Sequence, residues 1–395
     1  MAKKLLFVID NLNIGGPQKS LLALLDKIDY SLFDVSVVSL HGEGTLSKYY
    51  NEKVKFVKPD DLLIAMMLPK NRVVWSLGVF LKRFKIGCFF RSLFSILKCF
   101  FFKTNMNQSR QKLWMKYGHK MPTIPGEYDL SFGILGLSTY VVADLVNSKK
   151  KYHWVRSDVR ILKLNEKIEA IYFNKIDGAL SVSNECSDIY TTVYPFMKGK
   201  VKTFYNYLPI EFYKRFPSDV SCLDRYNCSK LITISRLSSN KGIEYVIDVA
   251  EYLKKHQVAF HWFVLGDGDK RQTYETVVKE RNIDDVITFL GFELNTVSFI
   301  EKSDIFVHLS ESEGKSNAVD EAKYVCKPIV ITNYATVKEQ IVDSVTGIIC
   351  DFDVVKIGNA IIDLLSNKGK QEKLIEGCER EKRNTADASQ FLLEL

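Results

Sequence analysis

Glu313 and Glu321, with seven residues between them, sit in the stretch SESEGKSNAVDEAKYVCKP at residues 310–328. An apolar run precedes it at 304–309 and another follows at 328–332, so it reads as a loop and helix between two parallel strands, one βαβ unit. The helix is expected to start at Ser316 or Asn317 and run to about Val325, because Ser and Asn cap well and Asp320 and Glu321 suit the first turns. Glu313 then lies in the loop and Glu321 about one turn into the helix. In open α/β sheets ligands collect outside the carboxyl ends of the strands, which is where both acids would stand. The N–H groups of Ser316, Asn317 and Ala318, with the positive end of the helix dipole, would offer phosphate a seat. Carboxylates beside that seat accept strong hydrogen bonds from sugar hydroxyls. Phosphate and sugar together suggest a nucleotide sugar; the bland alternative is a surface helix with scattered acids.

The setting EGKSNAVDEAKYVCKPIV resembles the signature of the retaining glycosyltransferases of family 4, of the bacterial surface-polysaccharide type. Those enzymes have the GT-B fold, two Rossmann-like domains facing a central cleft. The resemblance implies that Glu313 contacts the transferred sugar and Glu321 holds the ribose hydroxyls of the donor. Ser235-Arg236-Leu237 and Lys241-Gly242, after an apolar strand, resemble the family's Gly-Arg-Leu and Lys-Gly pair, with Ser where Gly is usual. Arg236 and Lys241, joined by Lys315 and the helix start at Ser316 and Asn317, would then stabilise charge on the leaving diphosphate. The resemblance also puts Gly266 and Gly291 near the donor, Gly291 closing a Val-x-Phe-x-Gly-like strand at 286–291. A nicotinamide site is disfavoured, since Arg271 stands where a third glycine would be needed.

In the first half, Gly15-Gly16 matches the family's glycine loop, where substrate approaches the backbone; a plain tight turn explains the pair equally well. Lys19-Ser20 does not end a Walker loop, because Asn13 and Gln18 occupy the required glycine positions. HWVRSDV at 153–159 resembles the family's Trp-x-His-x-Asp segment, with Arg156 in place of His. For Asp158 two readings stand: it orients an acceptor hydroxyl, or it caps the next helix.

A chain of 395 residues exceeds one ordinary core, so two α/β domains are expected. The divisions are an N-terminal Rossmann-like acceptor domain at 1–210, a polar linker at 211–228, a C-terminal nucleotide-sugar domain at 229–370, and a closing helix at 371–395 returning to the first domain. The apolar run before Asp10 is only five residues, a first strand and not a signal peptide. Eight cysteines without a CxxC pair read as reduced thiols. No metal site and no cofactor are expected beyond the donor itself, and the resemblance implies no metal requirement.

The net charge of +8 is concentrated: residues 62–126 hold twelve Lys or Arg and no acid. Within them, residues 72–103 contain no uncharged run longer than nine, against the ~18 needed to cross a bilayer. On a helical wheel Arg91, Ser92, Ser95, Lys98, Cys99 and Lys103 fall on one side, and Phe89, Phe90, Leu93, Phe94, Ile96, Leu97, Phe100 and Phe101 on the other; Gly87 separates this helix from a rougher one before it. With Lys82, Arg83 and Lys85 nearby, this describes an interfacial helix on anionic lipid. Burial in the domain core is the alternative. Nucleic acid fits less well, because the phenylalanines follow helix spacing instead of forming a stacking platform on a sheet. The resulting expectation is a cytoplasmic enzyme, peripheral on the inner face of the plasma membrane, that moves a hexose from a nucleoside diphosphate sugar to a lipid-linked saccharide. A nucleotide-sugar epimerase of the same fold, or a catalytically silent partner in a membrane glycosylation complex, are the alternatives.

Overall fold

The computed structural model describes residues 2–42, 44–68, 72–102, 105–162, 164–381 and 387–395. They divide into two compact units, one of Met1–Tyr207 with Asp387–Leu395, the other of Leu208–Ala386.

The first unit is built on β1 (Lys3–Ile9), α1 (Gly16–Lys27), β2 (Phe33–Ser39), β3 (Lys55–Phe56), α2 (Asp61–Met66), α3 (Val73–Lys82), α4 (Ile86–Phe102), α5 (Met106–Tyr117), β4 (Ile124–Ile134), α6 (Leu137–Leu145), β5 (Val146–Val155), α7 (Glu166–Phe173), β6 (Gly178–Ser181), α8 (Asn184–Val193) and β7 (Val201–Thr203). Its seven strands are parallel in the order β3-β2-β1-β4-β5-β6-β7. Central strands of such a sheet are covered on both faces, which is why β1 reads as an unbroken apolar run whose Leu5, Leu6, Phe7 and Val8 are wholly buried. Phe7 stacks on Phe132 of β4 at 4.8 Å between ring centroids.

The second unit contains α9 (Ile210–Arg215), β8 (Ser229–Ile234), α10 (Ile243–Lys255), β9 (Phe260–Leu265), α11 (Arg271–Glu280), β10 (Ile287–Gly291), α12 (Thr296–Lys302), β11 (Ile305–His308), α13 (Asn317–Tyr324), β12 (Ile329–Thr332), β13 (Ile348–Cys350), α14 (Val354–Ser366) and α15 (Lys368–Glu381). Its six strands are also parallel, in the order β10-β9-β8-β11-β12-β13. The last helix, α16 (Ala388–Leu393), lies in the first unit. There the Ser389 hydroxyl accepts from the Asp29 amide at 2.8 Å and Phe391 stacks on Phe204 at 4.3 Å.

One local expectation differs from what forms. Residues 211–228 do not run as an open linker: α9 and a 3-10 turn at Ser221–Arg225 bury Phe212 and Leu223 completely. Between β12 and β13 the chain makes a single 3-10 turn, Val337–Glu339, and β13 is only three residues long, too short to show a period.

The basic segment forms two helices, and the break falls at residues 83–85, where Phe84 has φ +51°, with Gly87 inside the first turn of α4. The wheel's polar side is not one face. Ser92 and Ser95 point inward and are buried, small enough for α4 to pack closely on its neighbours α3 and α5, while Arg91 and Lys98 point to solvent. The aromatic side is largely uncovered: Phe90, Phe94 and Phe101 are 62%, 67% and 69% exposed, and only Phe89 leans on the core. Core burial of this face is therefore not realised. Lys82 and Lys98 are exposed, Lys85 is half-buried, and Arg83 pairs with Asp60 at 3.3 Å. Lys103 and the Phe102 side chain lie outside the described residues.

Candidate functional site

Loops after β8 and β11 meet in the second unit because a glycine allows it. Gly242, at the N-cap of α10, has φ +67°, and a Cβ there would fall 1.8 Å from the Leu309 carbonyl oxygen. The contact is stitched further by the Glu311 amide and the Ser310 hydroxyl, both donating to the Asn240 carbonyl, at 3.1 and 3.2 Å. This apposition brings Lys241 Nζ to 2.8 Å from Glu313 Oε1. His308, at the end of β11, lies with Nε2 at 3.5 Å from the same oxygen, and both its ring nitrogens are buried without a hydrogen-bond partner among the described residues. At that separation the imidazole is a neighbour, not a bonded partner, and Lys241 holds the carboxylate. Burial raises the Glu313 carboxyl, but His308 and Lys241 more than reverse this and bring it from 4.5 to about 2, so it is ionised at neutral pH. Arg236, after β8, is exposed and makes no ion pair among the described residues.

At the start of α13 the expected phosphate seat is partly filled. Gln340 accepts from the Ser316 amide at 2.8 Å and donates to the Ser316 carbonyl at 2.8 Å and to Asp320 Oδ1 at 2.9 Å. Lys315 is ion-paired to Asp320, so it too is engaged by the protein and not held open for a ligand. Asn317 opens the helix as expected. No local pattern marks this arrangement, because Gln340 comes from a turn two elements away.

Glu321 is 3% exposed. Its Oε1 accepts from the Tyr213 hydroxyl and its Oε2 from Thr296 Oγ1 at 2.7 Å. These two bonds fix the orientation of the side chain. Gly266, at the end of β9, has φ +137° and would place a Cβ 1.9 Å from the Ser235 carbonyl oxygen. Its amide donates to the Gly291 carbonyl at 2.7 Å. Close packing of the strand ends therefore accounts for Gly266 by itself.

In the first unit Gly15 precedes α1 with φ −176°, an extended conformation open to any residue, and Gly16 begins the helix. Asp158 accepts from the Arg160 amide at 2.9 Å and forms an ion pair with the Arg160 guanidinium at 2.6 Å. Burial raises its carboxyl, and Arg160 outweighs this and lowers it below its ordinary value. Asp158 thus caps the 3-10 turn Val159–Leu162, the local of its two roles. Arg156, just past β5, donates to Asn206 Oδ1 and, at 2.7 Å, to Ser20 Oγ.

Residues 227–380 match the family model described as glycosyl transferases group 1. Over 151 residues the chain is 26% identical to the alpha-D-kanosaminyltransferase of Streptomyces kanamyceticus, which covers 38% of this chain and 39% of that protein. Over 126 residues it is 25% identical to the amylovoran biosynthesis glycosyltransferase AmsK of Erwinia amylovora, covering 30% of this chain and 31% of that one. The matched stretches thus span well under half of these curated relatives. Among solved structures, HepE of Anabaena in complex with UDP and glucose superposes with a TM-score of 0.70 at 16% identity, over 99% of this chain and 98% of that chain. The fold is GT-B.

In this GT-B chain the structure adds four residues to the site that the sequence reading did not single out: His308, Gln340, Tyr213 and Thr296. His308 alone left a trace, a histidine inside an otherwise apolar strand. Tyr213 stands 108 residues before the carboxylate it bonds, in the stretch that looked like linker.

Proposed function

We propose that this protein is a retaining glycosyltransferase that moves a hexosyl unit from a nucleoside diphosphate sugar to a lipid-linked saccharide, in cell-surface polysaccharide synthesis on the cytoplasmic side of an anionic membrane. The observation that carries the reading is the Glu313 carboxylate, kept ionised by His308 and Lys241 at the carboxyl ends of parallel strands, inside the stretch that matches the group 1 model. Glu313 accepts hydrogen bonds from the sugar, and Glu321, held by Tyr213 and Thr296, accepts from the ribose. Exposed Arg236, with the partly buried Lys241 beside Glu313, supplies positive charge to the diphosphate as it departs. Ser316 and Lys315 contribute less than expected, since Gln340 and Asp320 already engage them. The donor requires no metal, so activity should survive EDTA.

The acceptor half of the proposal is supported by α3 and α4. Contiguous exposed phenylalanines beside Arg91, Lys82 and Lys98, in a segment without acids, suit the headgroup region of anionic lipid. No helix of the described residues is long and apolar enough to cross a membrane. A soluble-substrate epimerase has no use for this face.

The test is thermal stabilisation by UDP-, GDP-, ADP- and dTDP-sugars, since a ligand that binds only the folded state raises its melting temperature. A shift with one base that is lost in Glu321→Ala supports the donor assignment. No shift with any of them, in folded protein, transfers the weight to a silent partner. Liposome flotation addresses the membrane: binding to anionic vesicles that persists in a Phe90→Ser/Phe94→Ser/Arg91→Ser/Lys98→Ser variant removes that part.

A further inference from the structure

Arg156 is a cation in a place that does not need one. It follows β5, and its guanidinium spans two other segments at the carboxyl edge of the same sheet: Ser20 in α1, after β1, and Asn206, after β7. It also lies over the Trp154 ring, 5.1 Å from the centroid. All these partners are neutral. Among the described residues no carboxylate stands within ion-pair distance of Arg156, the neighbouring Asp158 being committed to Arg160, and Arg156 Nε is buried without a partner. Burial lowers the guanidinium from its ordinary 12.5 to about 9, with the Cys186 thiol the sole counter-influence. The residue as a whole is half-buried.

If the role were only to bridge Ser20 and Asn206, a neutral amide would do it without the cost of partly desolvating a charge. A guanidinium presents a planar set of donors that matches carboxylate or phosphate oxygens, and its bonds to an oxyanion are stronger than those to neutral acceptors. The carboxyl ends of β1, β5 and β7 are where an open parallel sheet binds ligands.

We infer that Arg156, held by Ser20 and Asn206, is an oxyanion-binding subsite of the first unit that takes a carboxylate or phosphate group carried by a saccharide substrate. The inference rests on the transferase reading only in calling that saccharide a substrate; the binding itself stands apart from it. A merely structural arginine would bind no anion.

The experiment is calorimetric and thermal-shift titration of the full chain with glucuronate, glucose 6-phosphate and neutral glucose, for the wild type, Arg156→Gln and Arg156→Lys. The wild type should bind one of the two anionic sugars at least tenfold more tightly than glucose, and which one it prefers separates carboxylate from phosphate. Arg156→Gln should lose that preference, as expected for removal of a hydrogen bond to a charged group, worth roughly ten- to a hundredfold, and Arg156→Lys should retain part of it. UDP-sugar stabilisation, read in the same variants, should be unchanged, which shows that Arg156→Gln is folded and keeps failure of the donor reading separate from failure of this one. Equal affinity for charged and neutral sugars in the wild type, or a preference that survives Arg156→Gln, overturns the proposal.

Discussion

Replacing Lys241 by Met should strand a carboxylate in the interior of the second unit. In the wild type, Glu313 and Lys241 are 17% and 22% exposed at the side chain and 2.8 Å apart. Their neighbourhood brings the Glu313 carboxyl from 4.5 to about 2, an interval equivalent to roughly 3 kcal/mol at neutral pH. Part of this belongs to His308 and part is screened by water reaching the partly exposed pair, so Lys241→Met should cost about 2 kcal/mol. Because the folded-state value is depressed, the stabilisation is fully present above 4.5 and disappears as pH falls through about 2. Removing both charges should cost less than removing one, since Glu313→Gln leaves no stranded anion for the missing lysine to compensate. The assay is a double-mutant cycle at pH 7 with urea, followed by hydrogen exchange of β8 and β11 amides so that the second unit is read by itself. A coupling of about 1.5 kcal/mol or more is expected. A coupling below about 0.5 kcal/mol would show that Lys241 does not hold the Glu313 carboxylate, and the role given to their 2.8 Å contact would fall with it.

Two further predictions concern positions away from the sugar. Glu169 is buried with its carboxylate against the Tyr194 hydroxyl, and burial pushes its carboxyl up from 4.5 to about 7. A raised acid keeps its proton in the folded state while the unfolded chain loses it, so the first unit should lose stability as pH rises from 4.5 to 7, by about 3 kcal/mol in all; Glu169→Gln should flatten that slope in thermal melts, and a slope left intact would assign it to other groups. At Gly242 an added methyl meets the Leu309 carbonyl and φ is positive, so Gly242→Ala should cost more than about 2 kcal/mol and separate Lys241 from Glu313. A melting temperature within a degree of wild type would mean that the two loops can part without loss.

What the sequence disclosed and what it hid divide along a physical line. Strands β1, β2, β8, β9, β11 and β12 were legible because each is covered on both faces, and double coverage writes a continuous apolar run into the chain. Glu313 and Glu321 were legible because one helix start fixes both, a local matter of a few residues. Tyr213, Thr296 and Gln340 were not, because each reaches the site through the tertiary fold, and a hydroxyl that orients a carboxylate looks in sequence like any other polar residue. The α4 helix shows the same limit from the other side. Periodicity sorted its residues by polarity, but a packed surface also selects by size, so the buried serines joined the inner face while the charged residues stayed out. The phenylalanines were left uncovered by that choice. A helix that turns its small residues inward and its largest apolar ones outward has not failed to fold, and the exposed phenylalanines beside Arg91 and Lys98 are what the proposed contact with anionic lipid would require.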